Sequence, residues 1–128
     1  MLKEYEEFVG TTESGSVRDM SHKERLMYFA LGLCGEAGEV AEKIKKLVRD
    51  RGGYLGDAVD DDKFFADLVK ELSDPLWYLT QICREISVQY CNACPEREVH
   101  LEELFEINMA KLKDRANRGV IQGSGDNR

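Results

Sequence analysis

Ser21 and Glu24 stand in the S-x-x-E spacing of a capping box, in which each residue satisfies a backbone N–H of the other, and they open a long helix. Apolar residues then return at Leu26, Phe29, Ala30, Leu33, Ala37, Val40, Ile44 and Leu47, a helical period sustained over several turns. Arg51-Gly52-Gly53 ends the run, and the glycines and acids up to Asp62 read as a connector. No strand-like alternation competes anywhere, so the apolar stripe has to be covered by other helices.

The rest of the chain supplies them. A short helix is expected over residues 2–9, and the Thr, Ser and Gly of residues 10–20 predict a loop. A third helix starts near Asp61 or Asp62, with a buried stripe of Phe65, Leu68, Val69, Leu72, Leu76, Leu79, Cys83 and Ile86. It fades near Tyr90, and residues 91–95 make a turn. A fourth helix runs from about Glu96 to Asn117 and is stopped by Gly119. The two prolines, Pro75 and Pro95, are few enough for long helices. The expected fold is an all-α bundle of three long helices plus a short N-terminal one, over residues 1–118. Residues 119–128 are expected to form a mobile Gly-rich tail.

The formal net charge is −7, so bulk charge would repel a nucleic acid rather than bind it. A phosphate ligand would have to be attracted by something else, and a divalent cation held on carboxylates would do that. No apolar run is long enough to span a bilayer, and the opening MLKEYEEFVG has no secretory apolar region. A cytoplasmic location and no membrane partner are expected. Cys34 and Cys83 sit in apolar helical stretches and read as small core residues. Cys91 and Cys94 form a lone C-x-x-C with only His100 nearby, too few ligands for a structural zinc site.

The informative residues are acidic. Glu36 and Glu39 are spaced i, i+3 on the second helix, and Glu71 and Asp74 are spaced i, i+3 on the third. Each pair shares one face, beside its buried stripe and on the same rotational side. If the two helices pack antiparallel, four carboxylates converge at the rim of the core. So close together they repel one another unless a cation intervenes. Mg²⁺ suits such a set, with Mn²⁺ as the alternative ion, because it takes carboxylate and water oxygens and leaves positions for substrate phosphates. No histidine stands in either pair, which argues against zinc and against a di-iron bundle. The plain alternative is a solvated helix face, with Glu39 pairing to Lys43 at i, i+4. Against it stand Gly35 and Gly38, each costing about 1 kcal/mol relative to alanine inside a helix, so a close approach has to account for them. On the fourth helix Asn108 falls inside the apolar stripe of Leu101, Leu104, Phe105 and Leu112, flanked by Lys111 and Arg115. That is a phosphate clamp or a helix with snorkelling basic side chains.

At these residues the chain resembles the MazG-like all-α NTP pyrophosphatase superfamily. Residues 31–46 (LGLCGEAGEVAEKIKK) look like its first motif, residues 70–79 (KELSDPLWYL) like its second, and residues 107–115 (INMAKLKDR) like its C-terminal Asn-x-x-Lys-Leu-x-x-Arg segment. The tail 123–128 (GSGDNR) is similar to the endings of short, often phage-borne members. The resemblance implies Mg²⁺ ligands at Glu36, Glu39, Glu71 and Asp74, the residues that would also carry the catalysis. It implies phosphate contacts at Asn108 and Lys111 and, further out, at Lys43, Lys46 and Arg115. It implies a homodimer or a dimer of dimers, and attack of a metal-activated water on the α-phosphorus of a nucleoside triphosphate, releasing pyrophosphate. A phosphoribosyl-ATP pyrophosphatase and a non-catalytic nucleotide-binding or dimerising module are the alternatives. Two departures stand out. Pro75 follows Asp74 where the family has a hydrophobic residue, and 31 residues separate Glu39 from Glu71, a long spacer.

Overall fold

The computed structural model describes residues 1–54, 56, 59–91 and 98–121. Among them every regular element is an α-helix: α1 Leu2–Val9, α2 Gly15–Arg18, α3 His22–Arg51, α4 Val59–Cys91 and α5 Leu101–Asn117. The capping box forms as the spacing predicts. The Ser21 side chain accepts from the Glu24 N–H, and the Glu24 carboxylate accepts from the Ser21 N–H at 2.9 Å. At the other end of α3, Gly52 turns left-handed at φ 62°, which ends the helix at Arg51.

Three boundaries differ from expectation. The segment 10–20 is not wholly a loop, because the single turn α2 forms behind an extended Ser14. Helix α4 begins at Val59, ahead of Asp61. Helix α5 begins at Leu101 rather than near Glu96; residues 92–97 lie outside the described residues, and Glu98 to His100 are not helical. The cause is a long-range cap. The Glu6 carboxylate of α1 accepts from the Leu101 N–H at 2.6 Å, so the start of α5 is set by another element. Helix α5 ends as expected at Asn117, where Gly119 takes φ 68° and the Val120 N–H returns to the Arg115 carbonyl at 2.9 Å.

Helices α3 and α4 pack antiparallel along their length, with Arg25 against Glu85 at one end and Arg51 against Asp61 at the other. Helix α1 lies on α4, and α5 docks mainly on α1. The N-terminal segment is tied down by polar bonds as well as by Val9 and Val17. Trp77 Nε1 donates to Thr12 Oγ1 at 2.7 Å, Gln81 Nε2 to the Val9 carbonyl at 3.2 Å, and Arg84 Nη1 to the Glu6 carbonyl at 3.2 Å.

The stripe read on α4 is corrected by this packing. Leu68 and Cys83 are buried, but Phe65, Val69, Leu72 and Leu76 are exposed. The face of α4 that turns inward beneath α1 carries Thr80, Gln81 and Glu85 instead: the Thr80 hydroxyl donates to the Leu76 carbonyl of its own helix, the Gln81 amide N–H to Val9, and Glu85 accepts from Arg25 of α3. On α3, Phe29 and Leu47 are buried, whereas Ala30, Ala37 and Ile44 face out. Cys34, read as a core residue, is exposed. The Cys91 side chain and Cys94 lie outside what the structure describes. Among the described residues, no helix is long and apolar enough to cross a membrane.

A candidate metal centre

Antiparallel packing of α3 on α4 sets the first acidic pair against the second. Glu36, Glu71 and Asp74 each bring one carboxylate oxygen into a group whose members all lie within 4.8 Å of one another. An octahedral ion with oxygen ligands at about 2.1 Å spaces neighbouring ligands by about 3.0 Å and opposite ones by about 4.2 Å, so these three would draw closer on loading. All donors are hard oxygens, with neither thiolate nor imidazole in the group, which suits a hard divalent cation and not zinc. Burial first, then the charges of Glu39, Asp74 and Glu71, push the Glu36 carboxyl above its ordinary range. Glu39, the fourth residue of the expected set, is exposed and outside the trio, though its charge reaches Glu36.

The neighbours give the centre two unlike sides. On one, Lys43 on α3 reaches a Glu71 oxygen at 3.5 Å. On the other, one helical turn before Glu36 and one after Asp74, Gly32 faces the ring of Tyr78. A Cβ on Gly32 would lie 2.5 Å from Cδ1 and Cζ of that ring and nearer still to Cε1. Tyr78 also meets Trp77 edge-on at 4.9 Å and lies 6.5 Å from the Tyr28 ring. Burial first, then the neighbouring Tyr28 and the charge of Glu36, raise the Tyr78 hydroxyl above its usual pKa. Tyr5 of α1 is raised too, chiefly by burial, offset by a hydrogen bond with Thr80 and reinforced by the charge of Asp74.

The other candidates are placed elsewhere. Lys46 pairs with Glu42 at 3.4 Å, one turn back on its own helix. Asn108 is exposed on α5, where it lines a shallow depression with Phe105, Met109, Leu112 and Lys113. On the same helix Lys111 is half-buried and Arg115 buried.

Sequence reasoning missed the tyrosine layer, although its signal was present. Gly32 and Tyr78 stand four residues from Glu36 and Asp74, hence on the same helix faces. It also missed a second charged cluster, in which the Arg25 guanidinium is held between two buried carboxylates. Nη1 donates to Glu13 at 2.7 Å and Nε to Glu85 at 2.7 Å, while His22 Nδ1 meets Glu85 from outside. That cluster joins the N-terminal segment to both long helices, and its charges are already satisfied.

An antiparallel helix pair that brings Glu36, Glu71 and Asp74 together defines an all-α protein with a carboxylate cluster of the kind that could hold a divalent cation. Residues 25–120 match the MazG nucleotide pyrophosphohydrolase domain, and the chain belongs to that family. It is also similar to the Gene 37 protein of Mycobacterium phage L5, 40% identical over 110 residues that make up 86% of this chain and 82% of the relative. No solved structure matches.

Proposed function

We propose that the chain is a Mg²⁺-dependent pyrophosphohydrolase that converts nucleoside or deoxynucleoside triphosphates to monophosphate and pyrophosphate. The observation that carries the reading is the convergence of Glu36, Glu71 and Asp74 from two helices onto one point. Stacking three like charges destabilises a fold unless a ligand repays it. Glu39, one turn from Glu36, is assigned as the fourth carboxylate, which joins the set on loading. A bound Mg²⁺ would neutralise phosphate charge and acidify a water. The chain's own part is to hold the carboxylates in place, to position the triphosphate, and to accept the water's proton on a carboxylate oxygen of the group.

Lys43, beside Glu71, is assigned to phosphate oxygens. Asn108, Lys111 and Arg115 of α5, with Lys46 further out, are assigned to the same ligand. Exposed Phe65, Val69, Leu72 and Leu76 on α4, with Phe105, Met109 and Leu112 on α5, form apolar faces that none of the described residues covers. A second copy covering them makes a homodimer, or a dimer of dimers, and carries α5 of one protomer toward the α3–α4 centre of its partner. The net charge of −7 argues against a nucleic-acid partner, and the cytoplasm, where nucleotides and Mg²⁺ abound, is the expected place of work.

Incubation with Mg²⁺ and a panel of ribo- and deoxyribonucleoside triphosphates, with products separated by ion exchange, tests the reading. Monophosphate and pyrophosphate are expected, and Glu71→Gln should abolish them with helix content intact. Diphosphate and orthophosphate would mean attack at the γ-phosphorus and would refute the proposal. Complete inactivity of a folded, metal-loaded protein would leave a binding module.

A further inference from the structure

Lys43 sits where its charge matters twice. It stands one helical turn beyond Glu39 on α3, and its ammonium lies 3.5 Å from a Glu71 oxygen while most of its side chain is covered. Glu71 is also one of the three residues whose oxygens converge within 4.8 Å. The neighbouring lysines point elsewhere: Lys45 and Lys46 both pair with Glu42. One carboxylate is therefore claimed by a resident ammonium and by any divalent ion that the trio binds.

Both claims cannot be met at no cost. A +2 ion on Glu36, Glu71 and Asp74 would stand within roughly two water diameters of a +1 ammonium held at Glu71, and like charges at that range repel even through water. Lysine has a flexible four-carbon stem and a compact charge, so it can leave one oxygen for another with little strain. The nearest destination with negative charge, once the carboxylates are committed, is the phosphate chain of the bound nucleotide.

We propose that Lys43 is the resident counter-cation of the acidic centre: it competes with the divalent ion for Glu71 and passes to the substrate phosphates when the ion is bound. This rests on the reading of the trio as a metal site. It makes metal binding weaker than the carboxylates alone would give, and it couples metal binding to phosphate binding, since each removes the other's penalty.

The test is a Mn²⁺ and Mg²⁺ titration by calorimetry, without nucleotide, of wild-type protein, Lys43→Met, Lys43→Arg and Lys45→Met. Lys45→Met removes the same formal charge from the neighbouring pair with Glu42. A +1 charge roughly 6 Å from a +2 ion changes affinity by about tenfold even with bulk-water screening. Lys43→Met should therefore bind metal about tenfold more tightly than wild type, with Lys43→Arg and Lys45→Met near the wild-type value. With metal saturating, Lys43→Met should bind pyrophosphate more weakly than wild type. Wild-type metal binding that Lys43→Met leaves unchanged or weakens would overturn the competition and keep the metal site. An equal gain in Lys45→Met would reduce the effect to bulk charge and also overturn it. Undiminished pyrophosphate binding would refute the transfer to phosphate. Absence of metal binding in all four proteins would sink both the inference and the site reading.

Discussion

Gly32, Gly35 and Gly38 lie on one helix and invite the same substitution with opposite results. Alanine in a helix interior gains about 1 kcal/mol over glycine at any of them. At Gly35 and Gly38 an added Cβ meets nothing within 4 Å, so Gly35→Ala and Gly38→Ala should each stabilise the isolated chain by about that amount. At Gly32 the new atom would fall 2.5 Å from Cδ1 and Cζ of Tyr78, inside van der Waals contact with a rigid ring. The ring has little room to yield, with Trp77 at 4.9 Å and Tyr28 at 6.5 Å. Overpacking of this kind costs about 1–3 kcal/mol, and the severity of the overlap argues for the upper end. Set against the same propensity gain, Gly32→Ala should be destabilising by about 2 kcal/mol, and about 3 kcal/mol below Gly35→Ala. At about 4 °C per kcal/mol for a chain of this size, the two variants should melt on either side of wild type and about 12 °C apart. Thermal and urea melts by circular dichroism at low protein concentration measure this. Trp77 is the single tryptophan, so its emission reports displacement of the Tyr78 ring against it. Gly32→Ala in a Tyr78→Leu background should recover most of the loss. A Gly32→Ala variant that melts above wild type with unchanged emission would refute the packing argument.

Arg25→Met should cost about 3–5 kcal/mol in urea unfolding, because it strands the buried carboxylates Glu13 and Glu85; a loss below 1 kcal/mol would show that the pair is not desolvated. Glu36 has a folded-state pKa raised by burial and by its acidic neighbours, so protonation favours the folded form. In chelator, its penalty is therefore present at neutral pH and relieved as pH falls through that raised pKa. The melting temperature should rise on mild acidification, and Glu36→Gln should flatten the rise. Glu24 has the opposite sign: the Ser21 hydroxyl and backbone donors hold its pKa low, so its capping contribution persists at neutral pH and is lost only as pH falls through the depressed value. Glu6→Ala should release the Leu101 N–H, cost about 1 kcal/mol, and speed hydrogen exchange in the first turn of α5 while leaving α3 protected.

The parts of the fold that were legible were those written in local chemistry. The capping box at Ser21 and the glycines at 52 and 119 fix helix ends through neighbours three to six residues away, which a sequence displays. The start of α5 was not legible because its cap comes from Glu6, more than ninety residues back. The inward face of α4 misled for a related reason. Hydropathy favours Val69, Leu72 and Leu76 as core, yet Gln81 and Glu85 are buried because Val9 and Arg25 supply partners that no periodicity reveals. At the site, i, i+3 spacing put each acidic pair on one helix face, and antiparallel packing then brought Glu36, Glu71 and Asp74 together. The spacing could not say that Glu39 would face solvent, since half a turn of uncertainty in helix rotation decides that.

The order of charges along the α3–α4 pair carries the functional argument further than any single residue. At one end Arg25 answers Glu85 and Glu13; at the other Arg51 answers Asp61. Between them lie Glu36, Glu39, Glu71 and Asp74, and among the described residues the one ion pair that crosses from α3 to this part of α4 is Lys43 with Glu71. A helix pair selected only for stability would compensate its middle as it does its ends, since unbalanced carboxylates raise one another's pKa and weaken the fold. The two glycines with open space above them, Gly35 and Gly38, lie in this same middle stretch and give up helix propensity with no contact among the described residues to justify it. Excess negative charge and missing side chains thus coincide in one segment. A cation with its phosphate ligand would account for the first, and a ligand or second protomer pressed against bare backbone for the second.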